Sequence, residues 1–137
     1  MSQYQLLIIG GGPGGYVAAI RAAQLGLKTA VVENRDVGGT CLNRGCIPTK
    51  AMLHSTSAYA ECAHFEQLGL CVTGLSYDME KIHARKNQVV ETLVSGVEQL
   101  LKANNVDVIA GTAAITAPGT VSVDGTGYTA DRILVAT

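Results

Sequence analysis

The sequence has 137 residues, 47% of them apolar, with 16 glycines, one Phe, no Trp and a formal net charge of −1. That length suits one domain with room for a core, and the near-neutral charge gives no reason to expect nucleic acid or an anionic membrane as a partner. No apolar run approaches the roughly 18 residues of a membrane span, and the start Met1-Ser2-Gln3-Tyr4-Gln5 lacks the basic region and small-residue cleavage site of an export signal; the expectation is a cytoplasmic protein.

Tyr4 to Ile9 is a continuous apolar run bounded by glycines, as in a strand covered on both faces. Gly10 to Gly15 make a turn, and Pro13 to Leu25 read as a helix rich in small residues with Gly26 as its C-terminal cap. Lys28 to Glu33 is a second strand, so the first third of the chain predicts a βαβ unit and a parallel sheet. Gly10-Gly11-Gly12-Pro13-Gly14-Gly15 fits G-x-G-x-x-G in its required context, after a strand, opening a helix, and with Glu33 closing the next strand. Gly10 permits the tight turn, Gly12 lets a pyrophosphate approach the backbone, and Gly15 allows close helix–strand packing. The helix N-terminus offers orphan N–H groups and partial positive charge. Glu33 would accept from ribose hydroxyls and repel a 2′-phosphate, which excludes NADP. The fingerprint leaves FAD and NAD open, since both carry an ADP half.

The next segment holds Cys41 and Cys46, two of four cysteines in a chain expected to sit in a reducing compartment. Their spacing is not a usual zinc spacing, and no second Cys/His pair completes a ligand set. Residues from Thr40 to about Ala63 read as helical with Thr40 as N-cap, and Pro48 either kinks that helix or starts a new one. A disulfide needs Cα atoms within roughly 4.4–6.8 Å, whereas positions i and i+5 of a helix lie roughly 8–9 Å apart. Bridging the pair therefore requires a departure from the helix, best allowed at Gly45. A small strained loop would be easily reduced, which suits catalysis better than stability. Lys50, four residues after Cys46, would favour a thiolate; Arg44 either adds charge or is an ordinary surface residue. Cys62 and Cys71 match no motif and read as buried packing residues. His54, His64 and His83 read as ordinary surface or helix residues, and Tyr16 as helix packing.

A glycine-punctuated apolar patch (Leu68 to Val72) precedes a long amphipathic helix, Asp78 to Asn104, with Ile82, Val89, Val90, Leu93, Val97, Leu100 and Leu101 at helical spacing. Val106 to Ile109 reads as a buried strand, Gly111 to Thr129 as a small antiparallel meander, and Ile133 to Ala136 as the start of one more buried strand.

Gly38-Gly39-Thr40-Cys41-x4-Cys46-Ile47-Pro48-Thr49-Lys50, downstream of the fingerprint and Glu33, resembles the flavoprotein disulfide reductases. The form Cys41-Leu42-Asn43-x-Gly45-Cys46-Ile47-Pro48 is most similar to their dihydrolipoamide dehydrogenase branch; the glutathione and mercuric reductase branches usually carry Val at the positions of Leu42 and Ile47. Arg44 stands where Val is commoner and Thr49 where Ser is commoner. The resemblance runs from Tyr4 to Thr137 and implies an α/β, Rossmann-like FAD-binding domain with a central parallel sheet and a small antiparallel meander. Only its N-terminal part is covered, so residues 1–137 would be a truncated FAD domain lacking the NAD and dimerisation domains.

Carried over residue by residue, the resemblance implies that Gly10, Gly12, Pro13, Gly14 and Gly15 hold the FAD pyrophosphate and Glu33 the adenosine ribose. Gly38, Gly39, Thr40 and Cys41 line the site, Lys50 sits near the flavin, Ala113 meets the adenine through its backbone, and Thr137 begins an Ala-Thr-Gly segment. Cys41 and Cys46 would form the redox disulfide, Cys41 exchanging with a dihydrolipoyl dithiol and Cys46 facing the flavin, with NAD as final acceptor. The implied partners are the lipoyl-bearing domain of a 2-oxoacid dehydrogenase complex or of the glycine cleavage system, and a second copy in a homodimer. A glutathione- or mercuric-reductase-like member, or a non-catalytic FAD-binding module with a redox-sensing dithiol, stays open as an alternative.

Overall fold

The computed structural model describes residues 3–137; Met1 and Ser2, on which part of the reading of the N-terminus rests, lie outside them. Two compact units are formed, Met1–Thr40 with Val94–Thr137, and Cys41–Leu93.

The first unit is built on a six-stranded sheet in the order β3-β2-β1-β6-β5-β4. Its strands are β1 (Tyr4–Ile9), β2 (Thr29–Glu33), β3 (Asp107–Ala110), β4 (Ala113–Ala117), β5 (Thr120–Val123) and β6 (Thr126–Val135). β3, β2, β1 and β6 pair in parallel, with Ile8 opposite Val31 on one side and Leu134 on the other. Leu7, Ile8, Ala30, Val31 and Val32 are buried, as uninterrupted apolar runs in the middle of a parallel sheet must be. Helix α1 (Pro13–Gln24) packs on β1 and β2 through Gly15, Ala19 and Ala22, small residues one turn apart that let the backbones come close. It ends as expected at Gly26, with φ +85: Gly26 N–H donates to Ala23 O and Leu27 N–H to Ala22 O, satisfying two terminal carbonyls.

The meander and the returning strand, predicted as separate elements, are continuous. The first part of β6 pairs antiparallel with β5, from Val123 opposite Thr126 to Thr120 opposite Thr129, and its remainder pairs in parallel with β1 from Ala130 onward. No turn signal separates the two halves, because one strand serves two neighbours of opposite direction. Val121 and Val123 of β5 join Leu7, Val32 and Ala130 in one cluster, so the meander shares the core of the parallel sheet. Two strands predicted as buried are only partly so: Val108 of β3 is 47% exposed and Val135 of β6 is 58% exposed. β3 is an edge strand with a neighbour on one side alone.

The second unit holds α3 (Cys46–Glu61), a 3₁₀ turn (Cys62–Leu68) and the first turns of α4 (Met79–Ala103); the last turns of α4, with Val97 and Leu101 buried, belong to the first unit. The short helix α2 (Gly39–Arg44) begins in one unit and ends in the other. Asp78 caps α4, its Oδ1 accepting from Lys81 N–H at 3.1 Å. In the stripe predicted for α4, Leu93 and Leu100 turn out exposed, at 42% and 53%. Within this unit Arg85 Nη1 donates to Ala51 O at 3.4 Å, and Tyr59 meets Tyr77 edge to face. No helix among the described residues is long and apolar enough to cross a membrane.

Candidate functional site

In the first unit the predicted residues assemble around the C-terminal ends of β1 and β2. Gly10 has φ +107, and a side chain there would strike Ala136 O, so the tight turn needs glycine. A side chain at Gly15 would strike the Gly10 carbonyl, as predicted for close helix–strand packing. Gly12 and Gly14 are different: a Cβ at either meets nothing closer than 3.9 Å, an ordinary contact, so neither position is crowded by the protein. Gly12 is the N-cap of α1 with no side-chain cap, Pro13 opens the helix, and no acidic residue stands in its first turn. The first helical bond is Tyr16 N–H to Gly12 O, so the N–H groups of Gly14 and Gly15 precede the ladder and remain orphan donors at the positive end of the helix.

Glu33 is held by backbone on both sides. Gly11 N–H donates to its Oε2 at 2.7 Å and Arg35 N–H to its Oε1 at 2.8 Å. Gly11, which the fingerprint gives no role, ties the turn to the acidic residue through its N–H, and its carbonyl accepts from Gly38 N–H at 2.8 Å. Gly39, with φ +68, lies against this turn so closely that a Cβ would come within 2.9 Å of Gly12 Cα. Two glycine turns far apart in sequence thus touch through bare backbone. Gly111, absent from the predicted set, donates its N–H to Glu33 O at 3.0 Å. The sequence signal available for it was a glycine just after an apolar run; in the structure its φ is +143. Ala113 follows at the start of β4, half-buried, and Thr137 is exposed beyond β6.

In the second unit, Cys41 lies in α2 and Cys46 opens α3, with the helical path broken at Gly45 (φ −124, ψ −106). The break falls where the disulfide argument required it. Thr40 is inside α2, which starts at Gly39, and is not an N-cap; the Gly38-Gly39 turn performs the entry instead. Pro48 does not kink a helix but sits in the first turn of α3, where its missing N–H leaves no bond unmade. Both thiols are exposed and unbridged. A hydrogen bond between the two side chains, then desolvation, pushes the Cys41 thiol above its ordinary range, while the backbone of Cys46 and the Lys50 ammonium pull it down. Lys50 therefore acts in the predicted sense, but on Cys41 and against a stronger opposing effect. Cys71, predicted to be buried, is exposed and Cys62 half-buried, its Sγ donating to Ala58 O at 3.3 Å. His54, His64 and His83 are exposed and Tyr16 is half-buried. Among the described residues no three His, Cys, Asp or Glu come together as a metal ion would require.

Comparison with known proteins adds to this geometry. The family model described as "Pyridine nucleotide-disulphide oxidoreductase" matches residues 4–137. The chain is 47% identical to a dihydrolipoyl dehydrogenase of Bacillus subtilis (strain 168) over 141 residues, 97% of this chain and 30% of the relative. It is 53% identical to one of Trypanosoma brucei brucei, over 89% of this chain and 26% of the relative. It is 47% identical to a mitochondrial one of Schizosaccharomyces pombe, over 98% of this chain and 27% of the relative. The chain thus spans between a quarter and a third of the length of these relatives, and its residue pattern is common to bacterial and mitochondrial proteins. With the match unbroken from β1 to the last residue, the chain belongs to the pyridine nucleotide-disulphide oxidoreductase family.

Proposed function

We propose that this chain is the N-terminal FAD-binding part of a flavoprotein that oxidises dihydrolipoyl groups to lipoyl groups, with NAD as final electron acceptor. The observation that carries the reading is the cysteine pair itself: two exposed thiols astride a helix break, close enough for their side chains to hydrogen-bond, with the charge of Lys50 acting on one of them.

The glycine turn supports a dinucleotide. Uncrowded backbone at Gly12 and Gly14, orphan N–H groups at the uncapped start of α1 and no acidic residue in its first turn suit a pyrophosphate. Glu33, with each carboxylate oxygen fixed by one backbone N–H, keeps lone pairs for ribose hydroxyls, and its charge rejects a 2′-phosphate. Within the first unit, Pro13, Gly38, Gly39, Thr40, Ala113 and Thr137 are assigned to FAD, and the assignment of Lys50 to the flavin rests on the resemblance alone.

The thiol chemistry balances within the chain and its substrate. One thiolate of the dihydrolipoyl group attacks Cys41 of a Cys41–Cys46 disulfide, and Cys46 leaves as a thiolate. The second substrate thiolate then displaces Cys41 from the mixed disulfide, closing the lipoyl ring. Two electrons pass to the cysteine pair, and the two substrate protons pass to solvent or to the released thiolates. Bound FAD supplies the two-electron acceptor that returns the pair to the disulfide. The lipoyl carrier would be the lipoyl domain of a 2-oxoacid dehydrogenase complex or of the glycine cleavage system, and the intact protein a homodimer.

The test is NADH formation from dihydrolipoamide by the intact protein, with Cys41→Ser and Cys46→Ser abolishing it. Inactivity toward dihydrolipoamide, together with NADPH-dependent reduction of glutathione disulfide, would overturn this reading in favour of a glutathione-reductase-like activity.

A further inference from the structure

We propose that Asp124 is a positioning residue for the ribose–adenine end of the nucleotide site, acting through the β3–β4 turn; the proposal rests on the FAD-binding reading above. Asp124 and Gly125 form the β5–β6 hairpin turn, with φ +46 and +90. For that turn any residue tolerant of positive φ suffices, and Asn or Gly would serve as well as Asp. The carboxylate has a second task. It folds back onto the neighbouring turn, where Thr112 N–H donates to Oδ1 at 3.2 Å and to Oδ2 at 3.3 Å. Asp124 N–H returns a bond to Thr112 O at 3.2 Å.

Gly111 completes the latch. The space where its side chain would stand is filled by Asp124 Oδ2 and Val123 Cγ1. Its own N–H donates to Glu33 O at 3.0 Å, so the turn held by Asp124 lies directly on the backbone of the acidic residue assigned to the ribose. Ala113, assigned to the adenine, is the next residue after Thr112. Asp124 thus reaches both adenosine contacts through the backbone of the Gly111–Thr112 turn.

The hairpin role and the latch role separate by substitution. Asp124→Gly keeps the positive φ and removes the carboxylate; Asp124→Asn keeps both the φ and one acceptor oxygen. ADP is the probe, titrated calorimetrically into the FAD-free protein at a temperature where every variant is fully folded. Asp124→Gly is expected to bind ADP about fivefold more weakly, the effect of one or two modest hydrogen bonds, and Asp124→Asn to recover most of the affinity. Equal affinity in Asp124→Gly and the unsubstituted protein would overturn the latch, leaving Asp124 a hairpin residue. An equal loss in both variants would also overturn it, since the acceptor oxygen would then be irrelevant. Failure of the unsubstituted protein to bind ADP at all would remove the nucleotide-site reading, a result distinguishable from either.

Discussion

Gly14 and Gly15 adjoin in the same helical turn, yet alanine at the two positions should move stability in opposite directions. Alanine is favoured over glycine inside a helix by about 1 kcal/mol, so propensity alone would make both substitutions stabilising. At Gly14 nothing opposes this, because the nearest atom to a new Cβ is Ala136 Cβ at 3.9 Å, an ordinary contact. At Gly15 the new methyl would strike the Gly10 carbonyl oxygen and lie 2.9 Å from its carbon, with Ile8 Cγ2 at 3.5 Å. Favourable carbon contacts begin near 3.5 Å, so α1 would have to lift from β1 by at least ~0.6 Å. Backbone cannot rotate away as a side chain can. Overpacking of this kind costs about 3 kcal/mol, which after the propensity gain leaves a net loss of about 2 kcal/mol. For a chain of this size that is a fall of roughly 7 °C in Tm. Thermal and urea denaturation of the two single variants measure it. A Gly15→Ala protein as stable as the unsubstituted one would refute the contact, and with it the explanation offered for glycine at the end of the fingerprint.

Glu33→Gln should loosen the glycine turn, because the amide offers one acceptor oxygen and turns an NH₂ toward the other backbone donor; amide exchange at Gly11 and Arg35 should rise about tenfold, corresponding to about 1.4 kcal/mol, and unchanged protection would contradict the clamp. Cys46→Ala removes the main influence raising the Cys41 thiol, so in a Cys62→Ser, Cys71→Ser background the pH profile of Cys41 alkylation should move to lower pH. Lys50→Met should move the same profile upward, and a common direction for both variants would show that the assigned causes are wrong. Tyr4 is pushed up to about 12 by burial and by its hydrogen bond to Asp107 Oδ2 at 3.0 Å. Stability linked to it is fully present below the ordinary value of 10.0 and is lost as pH rises from there through about 12. Ultraviolet titration of the folded protein should therefore show a late-ionising tyrosine that Tyr4→Phe abolishes.

Most of the site was legible because its residues are constrained by backbone, and backbone constraints leave local traces. Gly10, Gly15 and Gly26 occur where a turn, a close contact and a helix end demand them, and each can be recognised from its neighbours alone. Gly45 could be selected as the helix break because a five-residue cysteine spacing does not fit helical geometry. What stayed hidden depends on residues distant in sequence. The bond from Gly11 to Glu33 and that from Gly111 to the Glu33 carbonyl appear only when β1, β2 and β3 lie side by side. Thr40 looked like a cap because its hydroxyl is of the right kind, but the preceding glycines with φ +100 and +68 bring the chain into the helix one residue earlier. The exposure of Cys71, Val108 and Val135 could not be read from composition, since an apolar residue type carries no record of whether a neighbour covers it.

The change of pairing along β6 bears on the order in which this protein can fold. Contacts among β4, β5 and β6 join residues close together in the chain, so the meander can form early and by itself at little loop-closure cost. The parallel pairing of Tyr4 with Ala130 instead closes nearly the whole sequence into one loop. A hairpin already formed would present the rest of β6 as an extended template, sparing that strand a separate ordering step before β1 docks. During synthesis β1 leaves the ribosome long before β6 exists, and β2 long before β3, so their open edges must wait. Variants that slow the meander, such as a disrupted Asp124–Gly125 turn, would then lengthen the interval in which those strands are open to aggregation.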